Sequence, residues 1–261
     1  MPTPNSARRA PATATHSGPG RPLRRSARAR ELVLVVLLVL VALATVRLGI
    51  AGLFVELAQE RIDQWAPGTS RPPAVEVERA AGYFSDSLSL AADDPWALEG
   101  AGAMDLARMR ASTDPREALA AAQEARARFR LALRARPTSP YLWANLALTK
   151  LYLDEIDAEL LAALRHADEL GPWQQTIQQT VVFVGLAAWP HLDSRMRNSL
   201  LQTMRRGAVR SPQKILEIGK SYARLDLVCA IQQISSIAAA ECSKAAAAAE
   251  SGAAKRRGIG R

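Results

Sequence analysis

Hydrophobic positions follow two different patterns along this chain. From Leu32 to Val46 no residue is charged and most are Leu or Val, and after Arg47 the run resumes from Leu48 to Val55. Residues 32–55 therefore predict one membrane-crossing helix, about 36 Å long at 1.5 Å per residue against a hydrocarbon core of ~30 Å. Beyond residue 73 apolar side chains instead recur every three or four positions, the period of helices buried on one side. Polar starts punctuate this part: Asp94-Pro95, Asp114-Pro115 with Glu117 placed for a capping box, Ser139-Pro140, Asp154 or Asp157, Asp193 and Ser211-Pro212. They predict helices over 74–90, from Pro95, over 115–135 and 140–153, one ending at Gly171-Pro172, then 173–189, 193–207 and 212–226, and no strand. The apolar run Val181–Trp189 is too short to cross a membrane and follows four glutamines, so it reads as a buried helix.

Spacing narrows the all-α class. Ala125, Phe129, Ala132 and Pro137 fall at A-x3-F-x2-A-x4-P, Trp143 and Leu146 follow as W-x2-L, and Leu160, Leu164, Ala167 and Pro172 repeat the first spacing. This resembles the tetratricopeptide repeat, in which small residues let two helices approach, large ones fill the groove and the proline turns the chain back. The expected architecture is a single transmembrane helix followed by a TPR-like antiparallel helical solenoid. Trp96 is upstream of its consensus distance from Phe129, which predicts a lengthened connection around Met109 to Asp114. Ala147 and Lys150 depart from the consensus glycine and tyrosine.

Charge changes the picture once it is divided. Of 34 basic and 25 acidic side chains, residues 1–31 hold seven Arg against Glu31, and residues 241–261 hold five Lys or Arg against two Glu, which leaves 22 of each sign between. The net +9 therefore belongs to the ends, and a nucleic-acid footprint is absent from the folded part. The domains expected are a disordered basic arm (1–31), the span (32–55), a juxtamembrane helix and Pro/Gly linker (56–73), the helical domain (74–237) and an Ala-rich basic tail (238–261). Arginines at 21, 24, 25, 28 and 30 precede the span, so the amino terminus is expected in the cytoplasm and the main domain on the periplasmic side of a bacterial inner membrane. A cleaved secretory signal ending at Ala42-Leu43-Ala44 is the competing reading. Arg47 either snorkels to the far interface or pairs with a partner helix.

Catalytic chemistry is thin. His16, His166 and His191 form no metal or nucleophile–base spacing, and no phosphate loop follows a strand. The chain is read as non-enzymatic, with no cofactor and no metal. Cys229 lies in an apolar run and Cys242 in the tail, so two free thiols are expected. Asp154, Glu155, Asp157 and Glu159 complement a helix start. By register Tyr141, Asn145, Leu148 and Tyr152 face the inner groove of the repeat, and Tyr141, Asn145, Lys150 and Tyr152 are the candidate partner contacts.

The stretches 140–150, Glu169–Trp173, Val184–Trp189 and Tyr222–Cys229 together resemble the VpsP-like single-pass proteins of bacterial exopolysaccharide clusters, over about residues 32–232. That resemblance implies a process, extracellular polysaccharide assembly, with other proteins of the machine as partners. A scaffold or accessory subunit is the leading expectation. A glycan-binding module using exposed tryptophans and an enzyme with an unrecognised site remain as alternatives. Tryptophans 96, 143, 173 and 189 buried between helices favour the scaffold; two of them side by side in an open groove favour sugar binding.

Overall fold

In a computed structural model the described residues are 22–65, 72–244 and 246–247, and all their regular structure is helical. The expectations for the basic arm before residue 22, for most of the linker and for the tail beyond 247 lie outside these residues. The chain divides at Arg47 into two units. Helix α1 is Pro22–Asp63, and its part from Arg30 on is long and apolar enough to cross a membrane. Every residue from Arg30 to Ile50 is exposed. Within this stretch the Thr45 hydroxyl donates back to the carbonyls of Val41 and Ala42, so its polar group needs no outside partner.

The second unit continues with α2 (Ala74–Leu90), α3 (Pro95–Ala111), α4 (Pro115–Ala135), α5 (Pro140–Tyr152), α6 (Ala158–Leu170), α7 (Gln175–Ala187), α8 (Ser194–Arg210), α9 (Pro212–Ser221), α10 (Leu225–Val228) and α11 (Gln232–Ile237). Each helix packs on the next from α2 to α9, and the odd-numbered helices stand closer to one another than the even-numbered ones do. That is the two-layer order of tandem helical hairpins, as expected for a TPR-like stack.

Backbone hydrogen bonds make the repetition explicit. At Ala91, Arg136 and Gly171 the N–H closes the preceding helix onto the carbonyl four residues back. Three residues later Asp94, Ser139 and Gln174 bond to Ala91, Arg136 and Gly171 in turn. Asp94 and Ser139 then cap α3 and α5 through their side chains, and Asp114, Asp157 and Asp193 cap α4, α6 and α8. Asp157, not Asp154, starts α6. A buried i, i+4, i+7 spacing with a large apolar residue in the middle and a small one last occurs four times: Ala80/Phe84/Ser87, Ala125/Phe129/Ala132, Leu160/Leu164/Ala167 and Leu200/Met204/Gly207. Its first and last copies were hidden by Ser87 and Met204.

Two expectations are corrected here. The long first repeat comes from helices of 17 and 21 residues in α3 and α4, against 13 each in α5 and α6, while the connection after Ala111 is short. The helix expected over 212–226 stops at Ser221, because Ala223 takes a left-handed φ of 53° and the Arg224 N–H returns to the Gly219 carbonyl.

Two hydrophobic clusters fill the unit. The larger runs from α3 to α11. The smaller joins α2 and α3 to the end of α1, where Ala58 is fully buried and Val55, Ile62 and Trp65 pack alongside. The juxtamembrane helix is thus a packed part of the domain. At the other end Cys229 and Cys242 form a disulfide, which overturns the expectation of two free thiols. Ala238 is buried and Lys220 pairs with Glu241 at 2.6 Å, so the chain as far as Cys242 is docked instead of frayed.

Candidate functional site

Buried charges inside the helical stack are paired with one another. The turn after α5 places Asp154 at φ 57°, which swings the following carboxylates back onto α5. There the Lys150 ammonium lies 2.8 Å from Glu155, 2.9 Å from Asp157 and 2.8 Å from Glu159, and its side chain is 1% exposed. Burial opposes its charge, but the three carboxylates outweigh that and raise its pKa above the ordinary lysine value. Arg126 pairs with Glu155, and Arg130 pairs with Glu159 at 2.5 Å; the hydrogen bond from Arg130 leads in pulling Glu159 down to about 2. Lys150 therefore cannot be a partner contact, and that expectation is corrected. Three of the four carboxylates read as helix-start charges, Glu155, Asp157 and Glu159, also surround a buried ammonium, and Asp157 keeps its capping role on α6.

Two buried carboxylates escaped the sequence reading. Asp105 on α3 meets Arg108 at 3.1 Å and Arg128 at 2.7 Å, yet burial still pushes its pKa up. Asp168 on α6 accepts from Ser199, from Thr203 at 2.5 Å and from Arg206 at 3.1 Å. The signal for the second was present as Ser199, Thr203 and Arg206 at i, i+4 and i+7, a polar stripe on one face of α8. A cleft of about 320 Å³ beside Asp168 is lined also by Arg165, Glu169, Asp193 and Arg195. Both Asp168 oxygens are already engaged, which leaves it poorly placed as a general base. Among the described residues no group of three or more His, Cys, Asp or Glu could hold a metal ion.

The odd-helix face is different. On α5 Tyr141 is 43% and Tyr152 41% exposed, with half-buried Asn145 between them, whereas Leu148 is buried. The Arg110 guanidinium stands 5.7 Å from the Tyr152 ring. Burial, with Tyr152 close by, raises the Tyr222 phenol to about 12, and Phe183 meets Tyr222 edge-on at 5.2 Å. Arg110, Tyr152, Tyr222 and Phe183 thus gather side chains from α3, α5, the end of α9 and α7 on one face. Of the four expected contacts, Tyr141, Asn145 and Tyr152 lie on it and Lys150 does not. Arg110, Phe183 and Tyr222 were missed because they come from three other segments.

The tryptophans divide. Trp143 is half-buried, tilted against His166 at 4.7 Å, and donates from Nε1 to the Pro137 carbonyl at 2.7 Å. Gln178 makes the equivalent bond to Pro172 at 2.8 Å one repeat later. Trp96 corresponds in register to Tyr141, not to Trp143, and is 59% exposed with the Arg136 guanidinium 3.4 Å from its ring centre. Trp173 is 66% exposed with Arg206 at 5.8 Å, and half-buried Trp189 lies near Arg197 and Arg224. The four are not all buried between helices, and no two tryptophans stack among the described residues.

No family model matches the chain, and none of the curated proteins does. Among solved structures it is similar to YrrB, described as a TPR protein with an unusual peptide-binding site, at 19% identity and a TM-score of 0.43, over 69% of this chain and 84% of that one. The TPR-like assignment made above rests on the repeated turns and buried triplets of the chain itself.

Proposed function

We propose that the chain is a membrane-held, non-enzymatic scaffold whose odd-helix face receives another protein, and that it serves bacterial exopolysaccharide polymerisation or export. The observation that carries this reading is the contrast on α5: its buried ammonium is neutralised within the fold, while Tyr141, Asn145 and Tyr152 remain presented. Tyrosines offer large amphipathic contact area at low entropic cost, as interaction surfaces require. The anchor reading is supported by α1, whose part from Arg30 on is long and apolar enough to cross a membrane. An outside location for the domain is supported by the arginines before the span and by the Cys229–Cys242 disulfide, a bond of oxidising compartments. The arginine on Trp96 speaks against sugar stacking there, since it occupies a ring face.

Photo-crosslinking tests the proposal. A benzophenone amino acid at position 141 or 152 of the full chain in native membranes should capture a protein of the polysaccharide machine, and the same probe at exposed Arg195 on α8 should not. Equal capture from both faces, or none from either, would remove the odd-helix face as the contact. Unchanged polymer output in a deletion strain would remove the process.

A further inference from the structure

We propose that the outer edge of α8 is a binding ridge for an acidic glycan, a chain of hydroxyl-rich sugars with carboxylates set at intervals. Arg195, Asn198, Gln202, Arg205 and Val209 follow one another at steps of three or four residues, which puts them in one row along the helix. All five are exposed, and the row is about 21 Å long. The opposite side of the helix holds it in the core through Leu200, Met204 and Ala208. Helix α8 carries five arginines and no acidic residue. Among the described residues only Arg206 of these five meets a carboxylate, Asp168 at 3.1 Å, while Arg197 and Arg210 donate to the backbone carbonyls of Trp189 and Trp173. Arg195 and Arg205 keep their charge for an outside ligand. The carboxylates beside the row are Asp193, which caps the helix, and Glu169 across a cleft on α6.

The spacing of these groups selects the ligand. Arg195 and Arg205 stand about 15 Å apart along the helix, and the row between them is made of amides. A nucleic acid strand carries a charge every ~3.4 Å, far denser than this pattern. A lipid surface needs apolar area, of which the row offers Val209 alone. A folded protein needs an apolar centre with aromatic anchors, and the row has none. Each guanidinium can hold a carboxylate through two parallel hydrogen bonds, and each amide offers both donors and an acceptor to hydroxyls. Past Arg205 the row borders a groove lined also by Gln232 and Gln233 of α11, so the same chemistry continues onto the next element. The ridge belongs to an even-numbered helix and is separate from the face of Tyr141 and Tyr152.

Calorimetric titration of the detergent-solubilised full chain provides the test. Hyaluronan oligosaccharides, in which uronates alternate with neutral sugars, should bind, and neutral dextran oligosaccharides should not. Arg195→Gln combined with Arg205→Gln should weaken hyaluronan binding at least about tenfold. Asn198→Ala combined with Gln202→Ala should also weaken it, while leaving the lesser attraction for poly-glutamate unchanged. All four positions are exposed, so circular dichroism should show both variants folded; if the double arginine variant is unfolded, Arg205→Gln alone takes its place. No binding of hyaluronan, or unchanged binding in the folded arginine variant, overturns the ridge. Equal affinity for poly-glutamate and hyaluronan overturns it in favour of a charge patch without sugar recognition. Capture by phosphatidylglycerol vesicles but not by hyaluronan overturns it in favour of lipid. None of these results bears on protein capture at positions 141 and 152, which tests the other face.

Discussion

The two hydrophobic clusters of the packed unit are built on different rules. The larger is dominated by Leu, Ile and Val and is shared by helices from α3 to α11. The smaller buries eight residues, five of them alanine, with Phe84 its only fully embedded ring. Alanine lets α1, α2 and α3 approach closely, and Phe84 fills what remains: a Cβ on Gly100 would lie 2.1 Å from the ring. Many large side chains make a core that fails as a whole. A core of small side chains around one ring can fail at one point.

Truncating the ring in each cluster should separate them. Phe129→Ala and Phe84→Ala should each cost about 3–5 kcal/mol, the usual range for a buried phenylalanine. Phe129→Ala should lower stability throughout the unit. Phe84→Ala should instead deprotect α2 in hydrogen exchange while α5 to α8 keep their protection. Equal loss of protection in both regions in both variants would merge the two clusters into one cooperative core.

The disulfide defines where the larger cluster ends. Closing 13 residues of chain should contribute about 3 kcal/mol by loop entropy. Cys242→Ser should destabilise α9 to α11 by up to that amount and leave the small cluster untouched. A Cys242→Ser domain with wild-type melting would mean the segment beyond Ile237 adds nothing to the core, as the composition of the Ala-rich stretch suggested.

Legibility in the sequence follows the same division. Starts carrying an Asp or Ser cap and proline were readable, and α4 falls where the pattern placed it, because capping is a local property. The buried triplet at Phe84 was not readable, since Ser87 stands where alanine was sought. Lys150 was misjudged because nothing local announces that Asp154 turns left-handed and folds three carboxylates back over it. The Cys229–Cys242 pair was missed for a related reason: Cys242 sits among alanines with no apolar stripe to indicate docking. Of the site, the α5 face was legible from periodicity, but its neighbours Arg110, Phe183 and Tyr222 meet it only through the stacking of helices.

The buried ammonium of α5, in the region of the larger cluster, sharpens the comparison further. Lys150→Met should cost about 2 kcal/mol, less than the ~3–5 expected for breaking a fully buried pair, because the orphaned carboxylates are a third to a half exposed and can rehydrate. Acid titration carries the sign. Glu159 has its folded pKa lowered from 4.5 to about 2, so its contribution is fully present above about 4.5 and lost as pH falls through about 2. Glu155 and Asp157 are lowered as well and act in the same direction. Stability of the wild-type domain should therefore fall across that window, and the Lys150→Met and Glu159→Gln variants should fall less steeply. Parallel acid profiles would show that the cluster is held by packing and that the ammonium is a passenger.

The smallest effect on stability belongs to the face that lies outside both clusters. Tyr141→Ala and Asn145→Ala remove side chains that the fold leaves exposed or half-buried, so each should shift stability by no more than about 0.5 kcal/mol. Tyr152→Ala also gives up the nearby Arg110 guanidinium, an exposed cation–π contact of about 0.5–1 kcal/mol. If the face receives a partner, these near-silent changes should nevertheless weaken capture by the benzophenone probe, whereas Lys150→Met should affect it only to the extent that it unfolds the domain. The reverse ranking, with capture tracking melting temperature across all four variants, would mean that the partner senses the integrity of the stack. Presentation of Tyr141, Asn145 and Tyr152 would then carry no specificity of its own.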